Sequence, residues 1–202
     1  MRQALELGLG QAGRTWPNPS VGCVIVKDGR VVGRGATGDG GRPHAEEVAL
    51  DQAGTEARGA TAYVTLEPCG ERSTGAASCS QRLAEAGIAR VVYACDDPSP
   101  FASHKGPTRL ADAGVTVESG LMNDDAQALI AGFVHFLATG KPLVVEGDGQ
   151  RCDAEYPADA DDLDADLTLW GQRGYRTLFV APGSLAAQRL RGAGWLSGLT
   201  GE

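Results

Sequence analysis

The sequence predicts an α/β protein, a three-layer α/β/α sandwich around a mixed sheet, and three observations predict it. Two β-branched runs, Val21 to Val26 and Val31 to Gly35, flank Lys27-Asp28-Gly29-Arg30, where the Asp-Gly pair is a strong hairpin signal. From Thr61 onward, strand-like and helix-like segments alternate as β-α-β-α-β-α, which implies parallel strands with helices over both faces. The composition of the 202 residues, 42% hydrophobic and 22% charged, is that of a globular chain long enough to bury a core without disulfides or metals as staples.

Each element has a local cause. Met1 to about Gln11 reads as a short helix, ended by Gly10, Gly13 and the Pro17/Pro19 pair. Gly8 to Gly13 matches G-x-G-x-x-G, but no strand precedes it and prolines follow, so helix termination rather than a dinucleotide loop explains its glycines. After a loop with Gly38, Gly40 and Gly41, Pro43 leads into a helix from His44 to Ala53 with apolar residues at helical spacing. Thr61 to Leu66 is a strand, Ser80 to Ala86 a helix closed by Gly87, and Arg90 to Cys95 a strand. Thr108 to Ala113 and Val115 to Glu118 repeat the helix-then-strand unit, and Asp124 to Ala138 is a longer amphipathic helix. Lys141-Pro142 marks a boundary. Beyond it come a short strand (Leu143 to Glu146), an acidic stretch expected to be a solvated linker, a strand from Arg176 to Ala181 and a helix from Ser184 to Arg191. So small a β-α unit cannot bury its own apolar face and is expected to dock on something.

The net charge of −8 is local. Residues 146–166 contain nine acids and one base, Arg151, which accounts for the whole deficit. A neutral body without a basic stripe argues against binding extended nucleic acid, whose affinity comes mostly from phosphate neutralisation. No signal-peptide-like stretch opens the chain, and no run approaches the roughly 18 apolar residues of a membrane span. A cytoplasmic protein with reduced cysteines is expected. Cys23 and Cys95 lie in apolar strand runs and read as core; Cys152, in the acidic stretch, reads as an exposed thiol.

The residues that carry chemistry are His44-Ala45-Glu46, Pro68-Cys69 and Cys79. Singly, a His on a helix and two cysteines ten positions apart are ordinary core or surface residues. Together, with His-x-Glu opening a helix and Glu-Pro-Cys following a strand, they read as one Zn²⁺ held by His44, Cys69 and Cys79, with a fourth tetrahedral position left open as in a catalytic site. Glu46, two residues from the His, is placed to move protons without binding metal, the part that the H-x-E and P-C signature gives it in zinc deaminases. Both segments fall where strands give way to helices, so helix amino-termini favour anionic thiolates there. The nine residues between the cysteines exceed the two to four of the common deaminase signature.

With TWPNPSVGCVIVKDGRVVGRG, GGRPHAEEVAL, TAYVTLEPC, AEAGIARVVYACDDPSP and LADAGVTVESGL, residues 1–140 closely resemble the deaminase domain of bifunctional riboflavin-biosynthesis enzymes of the RibD type, which carry an extended loop between their zinc cysteines. The resemblance implies a cytidine-deaminase-like fold and hydrolytic removal of an amino group from a diaminopyrimidine bearing a phosphoribosylamino chain. It implies His44, Cys69 and Cys79 as metal ligands, Glu46 as proton shuttle and Asn18 of the PNPSVG loop as a contact to the substrate base. Small deaminases of this fold commonly pair, so a homodimer is the expected assembly.

Departures from the family bear on the substrate. The loop that usually supplies a His and a basic residue is here Gly70 to Ser78, with Glu71 where the His is expected. Arg72, Ser73 and Thr74 are left as candidate phosphate contacts, joined by Lys105 of the following loop. Trp16 is placed either to stack on a flat base or to pack. His104 and His135 lack ligand spacing, although His104 could approach a phosphate. Residues 141–202 are expected to be the acidic linker plus a truncated remnant of a reductase-like domain. GKPLVVE resembles its opening strand and GYRTLFVAPGSLAAQRLRGAGWLSGL its late strand and helix, with Val180-Ala181-Pro182-Gly183 in place of the usual Val-Glu-Gly-Gly, so no reductase activity is expected. Two competing functions are a deaminase of a free nucleobase or nucleoside such as guanine or cytosine, motivated by the altered 70–79 loop, and a non-catalytic deaminase-fold module. An RNA or single-stranded DNA deaminase would want a basic groove with aromatic stacking, which the neutral body of this chain does not offer.

Overall fold

The computed structural model describes residues 1–72, 75–102 and 104–196. The elements in chain order are α1 (Arg2–Leu9), β1 (Gly22–Lys27), β2 (Arg30–Ala36), α2 (Ala45–Ala53), β3 (Thr61–Leu66), α3 (Cys79–Glu85), β4 (Arg90–Cys95), α4 (Lys105–Asp112), β5 (Thr116–Ser119), α5 (Asn123–Leu129), α6 (Ala131–Thr139), β6 (Leu143–Glu146), β7 (Ala154–Glu155), α7 (Leu163–Gln172), β8 (Thr177–Val180) and α8 (Leu185–Gly192).

The expected sandwich is present. Five strands run in the order β2-β1-β3-β4-β5, with β1 antiparallel to both neighbours and β3, β4 and β5 parallel. The β1–β2 turn has positive φ at Asp28 (50°) and Gly29 (75°), the backbone that a two-residue turn between right-twisted strands requires. α1 and α5 pack on one face of the sheet; α2, α3 and α4 form a row on the other. Covered on both faces, β4 buries every residue from Val91 to Cys95 rather than alternating. The core runs through Ile25, Val64, Val91, Leu83 and Leu110, and Cys23 and Cys95 belong to it, as read. The single helix expected over Asp124 to Ala138 breaks at Ile130 (φ −104°, ψ 11°) into α5 and α6.

The carboxyl-terminal region departs most from expectation. The acidic stretch is more than a solvated linker: it contributes β7 and the start of α7, and β6, β8 and β7 form a parallel three-stranded sheet. Asp162 caps α7 by accepting the backbone N–H of Ala165, while Asp164 and Asp166 occupy its first turn, where carboxylates complement the helix dipole. Leu163, Leu167 and Gly171 lie one helical turn apart on its buried face. With Val144, Tyr156, Leu178, Val180 and Leu190 they make a small second core, so this unit buries part of its own apolar surface as well as docking. Docking runs through aromatics: Trp16 stacks on Tyr175 with ring centroids 4.6 Å apart, and Tyr175 leans on Trp170 at 4.8 Å. Trp16 therefore packs between the two sheets' surroundings. Among the described residues no helix is long and apolar enough to cross a membrane.

Candidate active site

The site lies where strands end and helices begin. His44 stands immediately before α2, and its backbone N–H donates to Glu47 Oε2 at 2.9 Å, which ties the His to the first turn. Cys69 follows β3 through Glu67-Pro68, and Cys79 is the first residue of α3, whose cap, Ser78, accepts the Gln81 N–H at 3.3 Å. The α3 amino-terminus closes on the Cys69 loop: the Cys79 N–H donates to Cys69 Sγ at 3.3 Å, and Ser80 gives its N–H and its hydroxyl to the Cys69 carbonyl. Arg109 of α4 locks this corner from behind, reaching the Gly70 carbonyl and Ser78 Oγ, each at 2.6 Å. Gly106 of the same helix is pressed against the Pro68 carbonyl, where a Cβ would collide.

These elements bring His44, Cys69 and Cys79 together, with one ligand atom from each within 4.8 Å of the others. His44 Nδ1 is 3.3 Å from Cys79 Sγ and 3.9 Å from Cys69 Sγ. Zn–N and Zn–S bonds in a tetrahedral site put such atoms roughly 3.5–3.8 Å apart, so this donor set fits zinc without moving the backbone. The hydrogen bond from the Cys79 thiol holds Cys69 down at about 4, while Cys79 is driven well above a normal thiol by that bond and by burial.

Glu46, 4% exposed, lines the same cleft as His44 and Cys69. Burial pushes its carboxyl above the usual range against the opposing pull of His44. A carboxyl in that position takes up and gives back a proton more readily near neutrality than a solvated one. The cleft holds about 340 Å³, enough for a nucleotide-sized ligand, and its walls include Phe101, Phe133, Phe136 and Leu137.

Among the other residues singled out in the sequence, Asn18 lines the cleft and donates Nδ2 to the Gly41 carbonyl at 3.1 Å. Arg72 lines it too, but its guanidinium is taken up by Glu47 at 2.8 Å and Cys79 Sγ at 3.4 Å. Lys105 pairs with Glu71 at 3.1 Å. Ser73 and Thr74 lie outside the described residues. Cys152 is half-buried rather than exposed, because Gly13 packs on its backbone. His104 shares a group of possible ligand atoms with Glu67 and Asp96, a grouping its sequence spacing concealed.

Several contributors were not foreseen. Glu67, whose side chain is fully buried, accepts the backbone N–H of His104 at 2.9 Å and that of Asp97 at 3.4 Å, pinning both ends of the β4–α4 loop beside the cleft. Its place in Glu-Pro-Cys was a legible signal. Glu47, adjacent to Glu46, was another. Arg42 and Arg176 also line the cleft, and no local pattern pointed to Arg176, which enters from the second unit.

Residues 1–95 match the family described as the cytidine and deoxycytidylate deaminase zinc-binding region. The chain is 49% identical over 143 residues to "Riboflavin biosynthesis protein RibD" of Escherichia coli, an alignment covering 70% of this chain and 39% of that protein. It thus spans about two-fifths of the length of such relatives. The structure resembles Acinetobacter baumannii RibD, form 1, with a TM-score of 0.80 and 26% identity over 96% of this chain and 83% of that one. A Thermotoga maritima diaminohydroxyphosphoribosylaminopyrimidine deaminase/5-amino-6-(5-phosphoribosylamino)uracil reductase shares the fold, with a TM-score of 0.83 and 22% identity over 96% of this chain and 82% of that one. The amino-terminal part of this chain therefore belongs to the cytidine-deaminase-like family, in the branch formed by the deaminase domains of the riboflavin-biosynthesis RibD proteins.

Proposed function

We propose that the chain is a zinc-dependent hydrolytic deaminase of an aminopyrimidine, the diaminohydroxyphosphoribosylaminopyrimidine of riboflavin biosynthesis. One observation carries the reading: His44, Cys69 and Cys79 converge with buried Glu46 on one cleft. His44, Cys69 and Cys79 would hold the metal, which when bound supplies Lewis-acid activation of water at neutral pH. Glu46 moves one proton of the attacking water to the ring nitrogen, and then carries the remaining proton of the added hydroxyl to the departing amine. The water oxygen forms the new bond to the ring carbon, the exocyclic C–N bond breaks and ammonia leaves. Asn18, fixed by Gly41, orients the base, and the phenylalanine walls keep bulk water from the reacting carbon. Residues 141–202 are proposed to be the contracted counterpart of a reductase domain, without reductase activity, and to cap the cleft.

A second reading, deamination of a free nucleobase or nucleoside, is favoured by the neutralisation of Arg72 and Lys105 by Glu47 and Glu71. Ammonia release from the phosphoribosylamino substrate, measured beside its dephosphorylated form and free guanine and cytosine, decides between them. The first reading expects the phosphorylated compound to win in kcat/KM. Faster turnover of an unphosphorylated base overturns it.

A further inference from the structure

The basic side chains around the cleft differ in what neutralises them. Arg72 and Lys105 each have a carboxylate partner. Arg42 and Arg176 line the cleft and have none within ion-pair distance among the described residues. The nearby Asp153 carboxylate is occupied by the backbone N–H groups of Arg176, at 2.6 Å, and Thr177, at 2.9 Å.

Arg176 is rigidly held all the same. Its Nε donates to the Pro17 carbonyl at 3.0 Å, and its Nη1 donates to the carbonyls of Gly171 at 3.2 Å and Tyr175 at 2.9 Å. Its guanidinium carbon sits 3.5 Å from the centroid of the Phe136 ring, on the cleft wall. These partners fix the guanidinium without a direct ion pair, and the Asp153 carboxylate acts on it only through space. Arg42 Nη1 is 3.2 Å from His44 Nε2. That contact brings no carboxylate to Arg42. The two arginines share one rim: Arg176 grips Pro17, Asn18 follows and holds Gly41, and Arg42 comes next.

We infer that Arg42 and Arg176 form the anion-binding end of the cleft, that Arg176 is supplied to it by the carboxyl-terminal unit, and that together they take a phosphate monoester on the substrate. The inference rests on the deaminase reading and deepens it. The Arg42 guanidinium and the Nη2 group of Arg176, the latter pre-fixed against an aromatic ring, suit the tetrahedral array of phosphate oxygens. The carboxyl-terminal unit is then a specificity element of the deaminase site.

The test is calorimetric binding of ribose 5-phosphate, with ribose as control, to the zinc-loaded full chain and its Arg42→Ala, Arg176→Ala and Arg176→Lys variants. Wild type is expected to bind the phosphate and not the ribose. Arg42→Ala and Arg176→Ala are expected to weaken binding about tenfold or more, with zinc content unchanged and Arg176→Lys losing less than Arg176→Ala. If Arg176→Ala does not fold, Arg176→Lys takes its place, because a lysine cannot reproduce the guanidinium, and the same threshold applies to it. A loss below about fivefold at either position, or no binding by wild type, overturns the inference. Failure of the functional reading looks different: arginine-dependent binding without ammonia release overturns that reading alone, and ammonia release with arginine-independent binding overturns this inference alone.

Discussion

Arg72 donates to Glu47 at 2.8 Å while its own side chain is only 5% exposed, so the charge of the inter-cysteine loop is turned inward, onto the helix that carries His44 and Glu46. Burial alone would raise Glu47; the Arg72 bond and the His44 N–H override it and hold that carboxyl at about 2, against 4.5 when free. A depressed carboxyl contributes stability above its unfolded value and loses it as pH falls through the folded one. Glu47→Gln is therefore expected to cost about 1.5–3 kcal/mol at pH 7, the range for hydrogen bonds to a charged group. The gap to wild type should hold down to about pH 4.5 and close toward about pH 2. Urea unfolding of both metal-free proteins across that window checks it.

Removing ligands should separate metal binding from folding. Cys79→Ser and His44→Ala are each expected to bring zinc well below one per chain by elemental analysis, while Glu46→Gln keeps it, since Glu46 offers no ligand to the group formed by His44, Cys69 and Cys79. Zinc retained at wild-type levels in both ligand variants would count against the site.

The Trp16–Tyr175 stack couples two parts of the chain far apart in sequence. A double-mutant cycle with Trp16→Ala and Tyr175→Ala is expected to return a coupling of about 0.5–1.5 kcal/mol, the usual worth of an aromatic pair beyond its buried area. Zero coupling, read from thermal or urea unfolding, would mean that the second unit docks without this pair.

The deaminase sheet was legible because its signals are local: an Asp-Gly turn, β-branched runs and helix starts read at His44 and Ser80 all lie within windows of about ten residues. The ligand set was legible for the same reason, each member sitting at a strand-to-helix junction. α7 was not, because the aspartates at 159–166 imitate a solvated linker; Asp162, Asp164 and Asp166 are in fact the cap and first turn of a helix with Leu163 and Leu167 beneath. Arg72 and Lys105 were expected to face a phosphate, and the partners that neutralise them, Glu47 and Glu71, could not be paired with them from spacing alone. Arg176 reaches Pro17 across 159 positions, a contact that only the tertiary fold creates.

In the proposed reaction Glu46 moves protons at a metal held by His44, Cys69 and Cys79. Ammonia release by zinc-loaded wild type and Glu46→Gln, on the phosphoribosylamino diaminopyrimidine at matched zinc content, tests it most directly. Turnover is expected from wild type, with a loss of roughly 10²–10⁴-fold in kcat for the variant. Equal rates in the two proteins, or no ammonia from either, would contradict it.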